Sequence, residues 1–505
     1  MVTPDAAGNG ADDFFPEIEV RSLHYDTRNV RPGGLFVAIE GFTTDGHQYV
    51  QDAIGKGAVA VIAQKPITAS VPVIQVANTR QALAVVSDHF FGRPSRGLTL
   101  LGITGTNGKT TTAYLIENIL LSAGLQVGVI GTVNYRYKGR CFKNPVTTPE
   151  SLDLQRILSE MLSAHVTHVV LEVSSHAIDL SRINGCRFDI GVFTNLTQDH
   201  LDYHGDMKRY WACKKSFFTD HLAAEKDALA VVNTDNAKGR ELCADIPYAC
   251  VTTGLGSENT ISVRSVTIGL TGIQGQLLTP QGSLEFTSHL VGDYNLENIL
   301  SAVGVGSVLD LSAAAIKKGI QRTHSVPGRL ERVPGSLNPP VYVDYAHTPD
   351  ALENVLKALK RLAPNRIISI FGCGGNRDMA KRPLMGNIAA RFSDLAIVTS
   401  DNPRFENPGD IIDQILVGVQ KASPHEYTIQ DLKHGFNGGG FCREPDRKRA
   451  IQAGILAARP GDIVLIAGKG HETYQIVGEK TIPFDDQVVA RSVLSRLTKE
   501  GQAKQ

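Results

Sequence analysis

Apolar runs of strand length alternate with amphipathic stretches of helix length along the chain, and this rhythm predicts an α/β fold. Near the N-terminus, strand patterns at 34–39 and 58–62 flank a helical pattern at 48–56, which predicts a small α/β domain. The segment 92–97 contains two glycines and a proline, as linkers do. We therefore end the first predicted domain, residues 1–97, at this linker.

A second region opens with an apolar, β-branched pattern at 98–104, which is followed by a glycine-rich turn and a helical pattern at 110–123. Buried-strand patterns follow at 166–173, 189–194 and 229–233. Strands that alternate with helices in this way predict a doubly wound, mainly parallel sheet of the P-loop type. Ligands of such sheets bind at the carboxyl ends of the strands.

The proline-rich segment 334–340 separates this region from a further series of strand patterns, at 341–343, 367–371, 395–399 and 463–467. The series predicts a third, Rossmann-like α/β domain. The domain prediction is thus 1–97, 98–334 and 335–505. Within the third domain, the glycine-rich run 435–440 predicts a flexible surface loop.

Length and composition agree with several globular domains. The chain has 505 residues, which at about 150 residues per domain predicts three. Hydrophobic residues are 42% and charged residues 20% of the sequence, which argues against disorder. Lys+Arg and Asp+Glu are both 51, so the formal net charge is zero and no nucleic-acid partner is expected.

Cysteine usage and hydropathy bear on the compartment. The seven cysteines are odd in number and never spaced C-x-x-C, which argues against a disulfide framework or a zinc ribbon and indicates a reducing environment. No apolar stretch is long enough to span a bilayer, and residues 1–13 lack a basic-then-apolar signal. We therefore expect a cytoplasmic protein without a membrane span.

The run Gly-Thr-Asn-Gly-Lys-Thr at 105–110 lies between a predicted strand and a predicted helix. Backbone N–H groups of such a turn, with the helix N-terminus, can surround phosphate oxygens. Lys109 adds a positive charge and Thr110 a hydroxyl suited to Mg²⁺. Ile103 stands where the standard phosphate-loop pattern has glycine. The context nevertheless favours a nucleotide phosphate over a chance match in a solvated turn.

Two further features suggest a metal but leave alternatives open. Glu172 ends an apolar strand pattern at the same predicted edge of the sheet, where a buried carboxylate needs either a metal or a salt-bridge partner. His200 and His204 have an i, i+4 spacing that could face one metal ion, although two histidines alone are more often structural.

Taken together, the motifs resemble those of the Mur ligases, which build the peptide stem of bacterial peptidoglycan. The resemblance covers essentially the whole chain and includes GTNGKTTT at 105–112, EVSSHA at 172–177, DHLDYHG at 199–205, YWACK at 210–214, VDYAHTPDAL at 343–352, GCGGNRDMAKRPLM at 372–385, DNPRFENP at 401–408 and AGKGHETYQ at 467–475. The N-terminal block at 26–49 is similar to the uridine-nucleotide domain of the subfamily that adds the third amino acid.

This resemblance implies an ATP- and Mg²⁺-dependent ligase that adds meso-2,6-diaminopimelate to the D-Glu γ-carboxylate of UDP-N-acetylmuramoyl-L-Ala-D-Glu, through an acyl phosphate. It implies catalytic roles for Lys109, Glu172, His200 and Lys214, and a metal site at Thr110, Glu172, His200 and Lys214. Lys214 is the lysine that the family carbamylates. The implied ATP site comprises Gly105, Thr106, Asn107, Gly108, Lys109, Thr110, Thr111, Asn298, Arg329, Asp344 and Tyr345.

The same resemblance implies the two remaining substrate sites, and we expect a monomer. The uridine substrate would be bound by Thr27, His47, Gln48, Thr147, Thr148, Ser174 and Arg182. Diaminopimelate would be bound by Arg377, Asp401, Asn402, Pro403, Arg404, Gly468 and Glu472. The planar guanidinium of Arg404 suits the distal carboxylate that lysine lacks.

Other functions remain as alternatives. A lysine-adding or folate-polyglutamating relative would share the phosphate loop, but Arg404 and the uridine block argue against both. A nucleotide sensor without chemistry would not need Glu172, His200 and Lys214. A DNA-associated ATPase would be expected to carry a basic stripe.

Overall fold

Three mainly parallel sheets with helices against their faces organise the chain. A computed structural model describes residues 17–502 except 42–43, 223–226 and 336–338. The first sheet has the order β1-β2-β3-β4 and is parallel throughout. Its elements are β1 Ser22–His24, β2 Gly34–Val37, α1 Val50–Gly55, β3 Ala58–Ala63, β4 Val73–Gln75 and α2 Thr79–Phe90.

The second sheet has the order β12-β11-β10-β5-β9-β6-β7-β8 and is parallel from β12 to β6. Residues on successive positions of β5 enter different cores, because side chains of a strand alternate between the two faces. The elements of this region are β5 Thr99–Thr104, α3 Lys109–Ser122, β6 Val127–Ile130, β7 Tyr135–Tyr137, β8 Arg140–Phe142, α4 Ser151–Ser163, β9 His168–Glu172, α5 Ser175–Asp179, β10 Ile190–Phe193, α6 Leu201–His204, α7 Met207–Ser216, β11 Leu229–Asn233, α8 Ala237–Asp245 and β12 Cys250–Thr253.

An antiparallel sheet of three strands follows, which the sequence analysis does not predict. It comprises β13 Ser262–Gly269, β14 Gly272–Thr279 and β15 Gly282–Ser288, and its apolar face packs into the same core as α3 and the helices α9 Asp293–Val308 and α10 Ala313–Arg322. The sheet therefore packs against α10 through β15 rather than extending the parallel sheet.

The third large sheet has the order β16-β17-β22-β18-β19-β21-β20 and is parallel except at β16. Its elements are β16 Glu331–Arg332, β17 Val341–Asp344, α11 Pro349–Arg361, β18 Ile367–Phe371, α12 Lys381–Phe392, β19 Leu395–Val398, α13 Pro408–Ala422, β20 Glu426–Tyr427, α14 Ile429–Leu432, β21 Gly440–Arg443, α15 Arg447–Ala457, β22 Ile463–Ala467, the separate hairpin β23 Tyr474–Val477 with β24 Lys480–Pro483, and α16 Asp486–Gln502.

The predicted three-domain α/β architecture is thereby confirmed, while the domain boundaries stay predictions. The third sheet takes its first strand, β16, from ahead of the predicted boundary at residue 335. Residues 1–13 and part of the predicted linker 334–340 lie outside the described residues. None of the described helices combines the length and hydropathy that a bilayer crossing requires.

The run 435–440 is an exposed loop at residues 437–439, as predicted, but Phe436 and Gly440 on either side of these residues are buried. Phe436 is 2% exposed and belongs to the core of the third domain. The guanidinium of Arg366 lies 4.0 Å from its ring centroid and donates a hydrogen bond of 2.8 Å to its carbonyl. Gly440 is already the first residue of β21. A single buried aromatic side chain therefore anchors the run.

Candidate active site

The loop between β5 and α3 forms the floor of the candidate site. Gly108, the residue before α3, has φ +87°, in the left-handed region that favours glycine. A Cβ at this position would lie 2.3 Å from Oδ1 of Asn298, so α9 closes over the loop. Asn298 itself is fixed by Asn295, whose Oδ1 accepts from its Nδ2 at 3.0 Å. The predicted strand, turn and helix therefore occur as expected.

The loop lysine is folded back onto its own loop. Nζ of Lys109 donates to the carbonyls of Gly105 at 2.8 Å and Thr106 at 2.9 Å. Burial lowers its pKa. Thr110 and Thr111, in the first turn of α3, are both buried and both line the cavity, and the Thr110 hydroxyl donates to Glu172.

Glu172, the last residue of β9, is the buried carboxylate of the site. It is 1% exposed, and its Oε2 accepts from the hydroxyls of Thr110 and Thr132, each at 2.9 Å. The Thr132 backbone N–H donates to Oε1 at 3.0 Å. From the sequence, either a metal or a salt bridge could satisfy this carboxylate. Within the described residues, the partners of Glu172 are hydroxyl and amide groups, and none is a basic side chain.

The two histidines of the i, i+4 pair have different surroundings. The ring of His200 packs edge-on against His176 at 4.9 Å, and burial lowers the pKa of His200 to about 4, so the ring is neutral at pH 7. The His204 ring instead hydrogen-bonds the Ser175 hydroxyl at 2.9 Å and is buried. His200 lines the cavity at the phosphate loop and His204 does not, so the pair does not act on one ligand.

Lys214 is almost completely buried, at 1% exposed, on α7. Its Nζ donates to the Gly105 carbonyl at 2.9 Å and lies 4.7 Å from the ring centroid of Tyr210. In the described part of the chain no carboxylate lies within salt-bridge distance of this amine. Burial, and secondarily the charge of Lys109, lowers the pKa of Lys214 well below its ordinary value. Burial thus favours the neutral form of this amine over the ammonium form.

A cavity of about 540 Å³ joins the second and third domains at this point. Arg329, after α10, donates from Nη2 to the Thr110 hydroxyl at 3.3 Å, and its guanidinium lies 4.6 Å from the ring centroid of Tyr345. Asp344 ends β17 and accepts from the backbone N–H groups of Leu330 at 2.6 Å and Ala346 at 2.7 Å. Burial raises the pKa of Asp344. The predicted ATP-site residues of both domains thus come together.

Two residues that the sequence does not predict as site residues, Asp350 and His471, connect these domains. Oδ2 of Asp350, on α11, accepts from the Thr197 hydroxyl at 2.7 Å and from Nδ2 of Asn107 at 3.1 Å. His471 hydrogen-bonds the backbone of Thr132, the residue that holds Glu172, and its ring lies 5.1 Å from that of Tyr345. Both Asp350 and His471 lie inside quoted motifs, but their contacts depend on how two domains meet.

The residues predicted for the uridine substrate are divided between two places. Thr147 and Ser174 line the same cavity as the phosphate loop. The Thr148 hydroxyl is buried and donates to the carbonyl of Glu172 at 2.7 Å. Arg182 donates to the Thr148 carbonyl at 3.1 Å and pairs with Glu150 at 3.5 Å. The substrate roles of these residues stay predictions.

In the first domain, both ring nitrogens of His47 are already used. Nδ1 bonds Asp45 at 2.5 Å, and Nε2 accepts from the Gln64 backbone at 3.1 Å. Thr27 lies in a short 3-10 turn, and Gln48 is exposed. A contact of His47 with a ligand through its ring would have to replace one of these bonds.

The loops after β18, β19 and β22 form a second pocket, which contains the predicted amino-acid residues. Nδ2 of Asn402 donates to Oε2 of Glu472 at 2.9 Å, and Nζ of the buried Lys469 donates to the same oxygen at 2.9 Å. Gly468 has φ +116°, and a Cβ there would lie 2.6 Å from Oδ2 of Asp401. Pro403 continues the loop to Arg404.

Two guanidiniums meet in this pocket without a carboxylate partner. Nη1 of Arg404 donates to the Gly375 carbonyl at 2.9 Å, and Arg377 donates to the carbonyl of Asn376 at 3.3 Å. Burial, together with the nearby charge of Arg377, lowers the pKa of Arg404. Neither arginine lies within salt-bridge distance of a carboxylate among residues the structure describes. Such a pair is suited to an anionic ligand.

Comparison with known proteins agrees with this geometry. The family descriptions "Mur ligase family, catalytic domain", "Mur ligase middle domain" and "Mur ligase, glutamate ligase domain" match residues 19–91, 103–306 and 328–470. A protein of Geobacter metallireducens named UDP-N-acetylmuramoyl-L-alanyl-D-glutamate--2,6-diaminopimelate ligase is 46% identical, with 99% of this chain and 98% of the relative covered. The chain belongs to the Mur ligase family.

Further similarities are to two proteins of the same name and to one of a different name. A relative from Geobacillus thermodenitrificans with the same name is 41% identical, over 94% of this chain and 95% of the relative. A solved structure titled with that name aligns with a TM-score of 0.67 and 31% identity, and 95% of each chain is covered. The Mycobacterium tuberculosis folylpolyglutamate synthase complexed with ADP and AMPPCP shares the fold, with a TM-score of 0.63 at 16% identity over 82% of this chain and 95% of that one.

Proposed function

We propose that this chain is an ATP-dependent amide ligase that joins meso-2,6-diaminopimelate to the D-Glu γ-carboxylate of UDP-N-acetylmuramoyl-L-Ala-D-Glu. The observation that carries the proposal is the pair of guanidiniums, Arg404 and Arg377, without a carboxylate partner. Diaminopimelate differs from lysine by a distal carboxylate, which such a pair can bind. The names of the curated relatives support the same substrate.

ATP is needed because a carboxylate is a poor acyl donor. Transfer of the γ-phosphoryl group to the D-Glu carboxylate gives an acyl phosphate, from which the incoming amine displaces phosphate. The phosphate loop and α3 N-terminus would bind the ATP phosphates. On binding, Nζ of Lys109 would exchange the Gly105 and Thr106 carbonyls for phosphate oxygens. Arg329 would stabilise the charge of the transferred group.

The donor set at β9 and α3 fits Mg²⁺. The Thr110 hydroxyl and the Glu172 carboxylate are hard oxygen donors within 2.9 Å of each other, and His200 offers a neutral ring nitrogen. No three His, Cys, Asp or Glu side chains form a preformed metal cage in the part of the chain described, as expected if substrate phosphates supply further ligands. When bound, Mg²⁺ neutralises phosphate charge.

Lys214 completes this set as a carbamate. An ammonium cannot ligate a cation, but a neutral amine can take up CO₂ and then offers carboxylate-like oxygens. Burial of Lys214, with no carboxylate partner among the described residues, favours the neutral amine and supports this modification.

At the amino-acid end, the carboxylate and ammonium of the distal centre would bind different groups. Arg404 and Arg377 would hold the carboxylate. Oε2 of Glu472 accepts hydrogen bonds from Asn402 and Lys469, so its Oε1 would be the oxygen that binds the ammonium. Lysine would leave the partly buried guanidinium of Arg404 without an anion, which disfavours lysine.

The remaining parts of the proposal concern the uridine substrate and the setting. Thr147 and Ser174 would hold the dipeptide part beside the phosphate loop, while Thr27, His47 and Gln48 would contact the nucleotide. The seven cysteines are free thiols, in keeping with a cytoplasmic enzyme.

The test is ATP-dependent phosphate release with UDP-N-acetylmuramoyl-L-Ala-D-Glu, comparing meso-diaminopimelate with L-lysine. Wild type is expected to be selective for diaminopimelate, and Arg404→Ala to raise KM for it about 10- to 100-fold, since hydrogen bonds to charged groups contribute about 1.5–3 kcal/mol. Arg443→Ala, at an exposed arginine paired with Asp413, is the control and should leave KM unchanged. Turnover of lysine by the wild type as fast as diaminopimelate contradicts the substrate assignment. No release with either amine favours a nucleotide sensor.

A further inference from the structure

The two loops that present Arg377 and Arg404 are joined along their length. The backbone N–H of Gly375 donates to the Asn402 carbonyl at 2.9 Å, and that of Phe405 donates to Oδ1 of Asn376 at 3.1 Å. The position of one guanidinium is therefore tied to that of the other.

A carboxylate lies within the same pair of loops. Glu406 is two residues from Arg404, and its Cβ would be 3.3 Å from a Cβ at Gly375. Arg404 donates to the carbonyl of Gly375, so the side chains of Arg404 and Glu406 both lie next to Gly375. An unrestrained carboxylate at this place would pair with Arg404, because opposite charges a few ångströms apart attract strongly in a half-buried site.

Arg382, on α12, already holds that carboxylate. Its Nη1 donates to Oε2 of Glu406 at 2.8 Å and its Nη2 to Oε1 at 3.0 Å, a bidentate pair. The Arg382 side chain is fully buried and donates further to Gln414 at 2.8 Å and to the Gly374 carbonyl at 3.2 Å. Glu406 also accepts from the Asn376 backbone N–H. Five hydrogen bonds thus fix Arg382 and Glu406 away from Arg404.

We propose that Arg382 is a positioning residue that determines amino-acid selectivity by sequestering Glu406. With Glu406 bound, Arg404 and Arg377 stay available for the carboxylate of the incoming amino acid. Without Arg382, Glu406 competes with the ligand for Arg404. This inference rests on the proposed function, because it assigns to these arginines a carboxylate of the substrate.

The test compares Arg382→Gln with the double variant Arg382→Gln/Glu406→Gln in the full-length protein. Glutamine at 382 keeps a polar side chain but carries no positive charge, so it cannot neutralise Glu406. The readouts are kcat and KM for meso-diaminopimelate, the ratio of diaminopimelate to lysine turnover, and thermal unfolding as the control for folding. We expect Arg382→Gln to raise KM at least tenfold with kcat within threefold, and the added Glu406→Gln to return KM to within threefold of wild type.

A folded Arg382→Gln with unchanged KM overturns the proposal, and so does a double variant with KM no lower than the single variant. Loss of kcat without a change in KM indicates a general structural role and also overturns it. If Arg382→Gln does not fold, Glu406→Gln alone decides. Neutralising a sequestered charge should leave KM within threefold, whereas a larger change in either direction shows that Glu406 acts on the pocket directly. Failure of the proposed function is separate, since wild type would then release no phosphate with diaminopimelate.

Discussion

Lys214 is a buried amine whose hydrogen-bond partner is a carbonyl rather than a carboxylate. Removing an ammonium group from water disfavours its charged form, and Lys109 adds repulsion, so the pKa of Lys214 is lower in the folded protein than in the unfolded chain. The unfolded chain binds a proton at the same site up to its ordinary pKa of 10.5. The lowered pKa of Lys214 therefore opposes folding at pH values below 10.5.

Lys214→Met should consequently stabilise the protein at pH 7 in bicarbonate-free buffer. Because the pKa of Lys214 is lowered in the folded state, the lysine reduces the free energy of unfolding at pH values below 10.5, and this reduction disappears as the pH rises to 10.5. The stability gained by Lys214→Met should therefore shrink between pH 7 and pH 10.5. Thermal unfolding at several pH values measures it. The control is Lys215→Met at the neighbouring, more exposed lysine that pairs with Asp245. A gain in stability that does not change with pH would contradict the lowered pKa of Lys214 in the folded protein.

The sequence predicts the individual residues of the site better than their contacts. Lys109, Thr110 and Glu172 could be predicted because each follows directly from a strand pattern and a local motif. The bonds of Thr132 to Glu172 could not, because Thr132 is a common residue type in a turn and its role depends on the pairing of β6 with β9. Likewise, the double use of the His47 ring becomes visible only when Gln64 is placed beside it.

At the scale of elements, a buried ion pair joins α15 to α16. Arg447 and Asp486 are both 0% exposed in their side chains and are 2.7 Å apart. Arg447 also donates to the carbonyls of Ala467 at 3.0 Å and Ser400 at 3.4 Å, at the ends of β22 and β19. One guanidinium therefore connects two helices with the two loops that begin the amino-acid pocket.

Arg447→Met should destabilise the third domain by about 3–5 kcal/mol, because it leaves Asp486 buried without its partner. The double variant Arg447→Met/Asp486→Leu should recover much of this loss. Urea unfolding followed by a probe in the third domain measures both. Arg156→Met, which breaks an ion pair with about 40% of each side chain exposed, is the control and should change stability by less than about 1 kcal/mol. A single variant as stable as this control would show that the pair contributes little.

The elements that the sequence failed to predict are those with weak local patterns. The strands β13 to β15 contain few apolar positions, and only β15 alternates regularly between exposed and buried residues. The glycines Gly272 and Gly282, at the turns between these strands, are the feature of the sequence that could have predicted the two hairpins. The buried strands β5, β9 and β22, by contrast, are continuous apolar runs and were predicted to within two residues at each end.

At the scale of the whole molecule, the second and third domains meet through polar bonds around the cavity. Asp350 accepts from both Thr197 and Asn107, so one carboxylate of α11 is bound to the phosphate loop and to the segment after β10. Arg329 adds a bond to Thr110. A ligand that breaks or shifts the hydrogen bond of Asn107 to Asp350 would therefore also affect the position of the third domain.

Asp350→Ala should loosen this arrangement without unfolding either domain. We expect a larger radius of gyration of the nucleotide-free protein in solution scattering and a KM for ATP raised about 3- to 10-fold, since each lost bond to a charged acceptor contributes on the order of 1 kcal/mol or more. Asp410→Ala is the control, because Asp410 is also an acid in the first turn of a helix of the third domain but is exposed. An unchanged radius and KM would show that other contacts hold the domains.

The backbone of Arg404 has φ +53°, a conformation that side chains with a Cβ adopt at a penalty of roughly 1–2 kcal/mol relative to glycine. At this position, the side chain that would bind the amino acid therefore lowers the stability of the fold. Glycine or asparagine would suit the backbone better and would remove the charge in the same step. In an evolving population, Arg404 should persist only while a carboxylate-bearing amino acid is required, and should be among the first residues lost when that requirement ends.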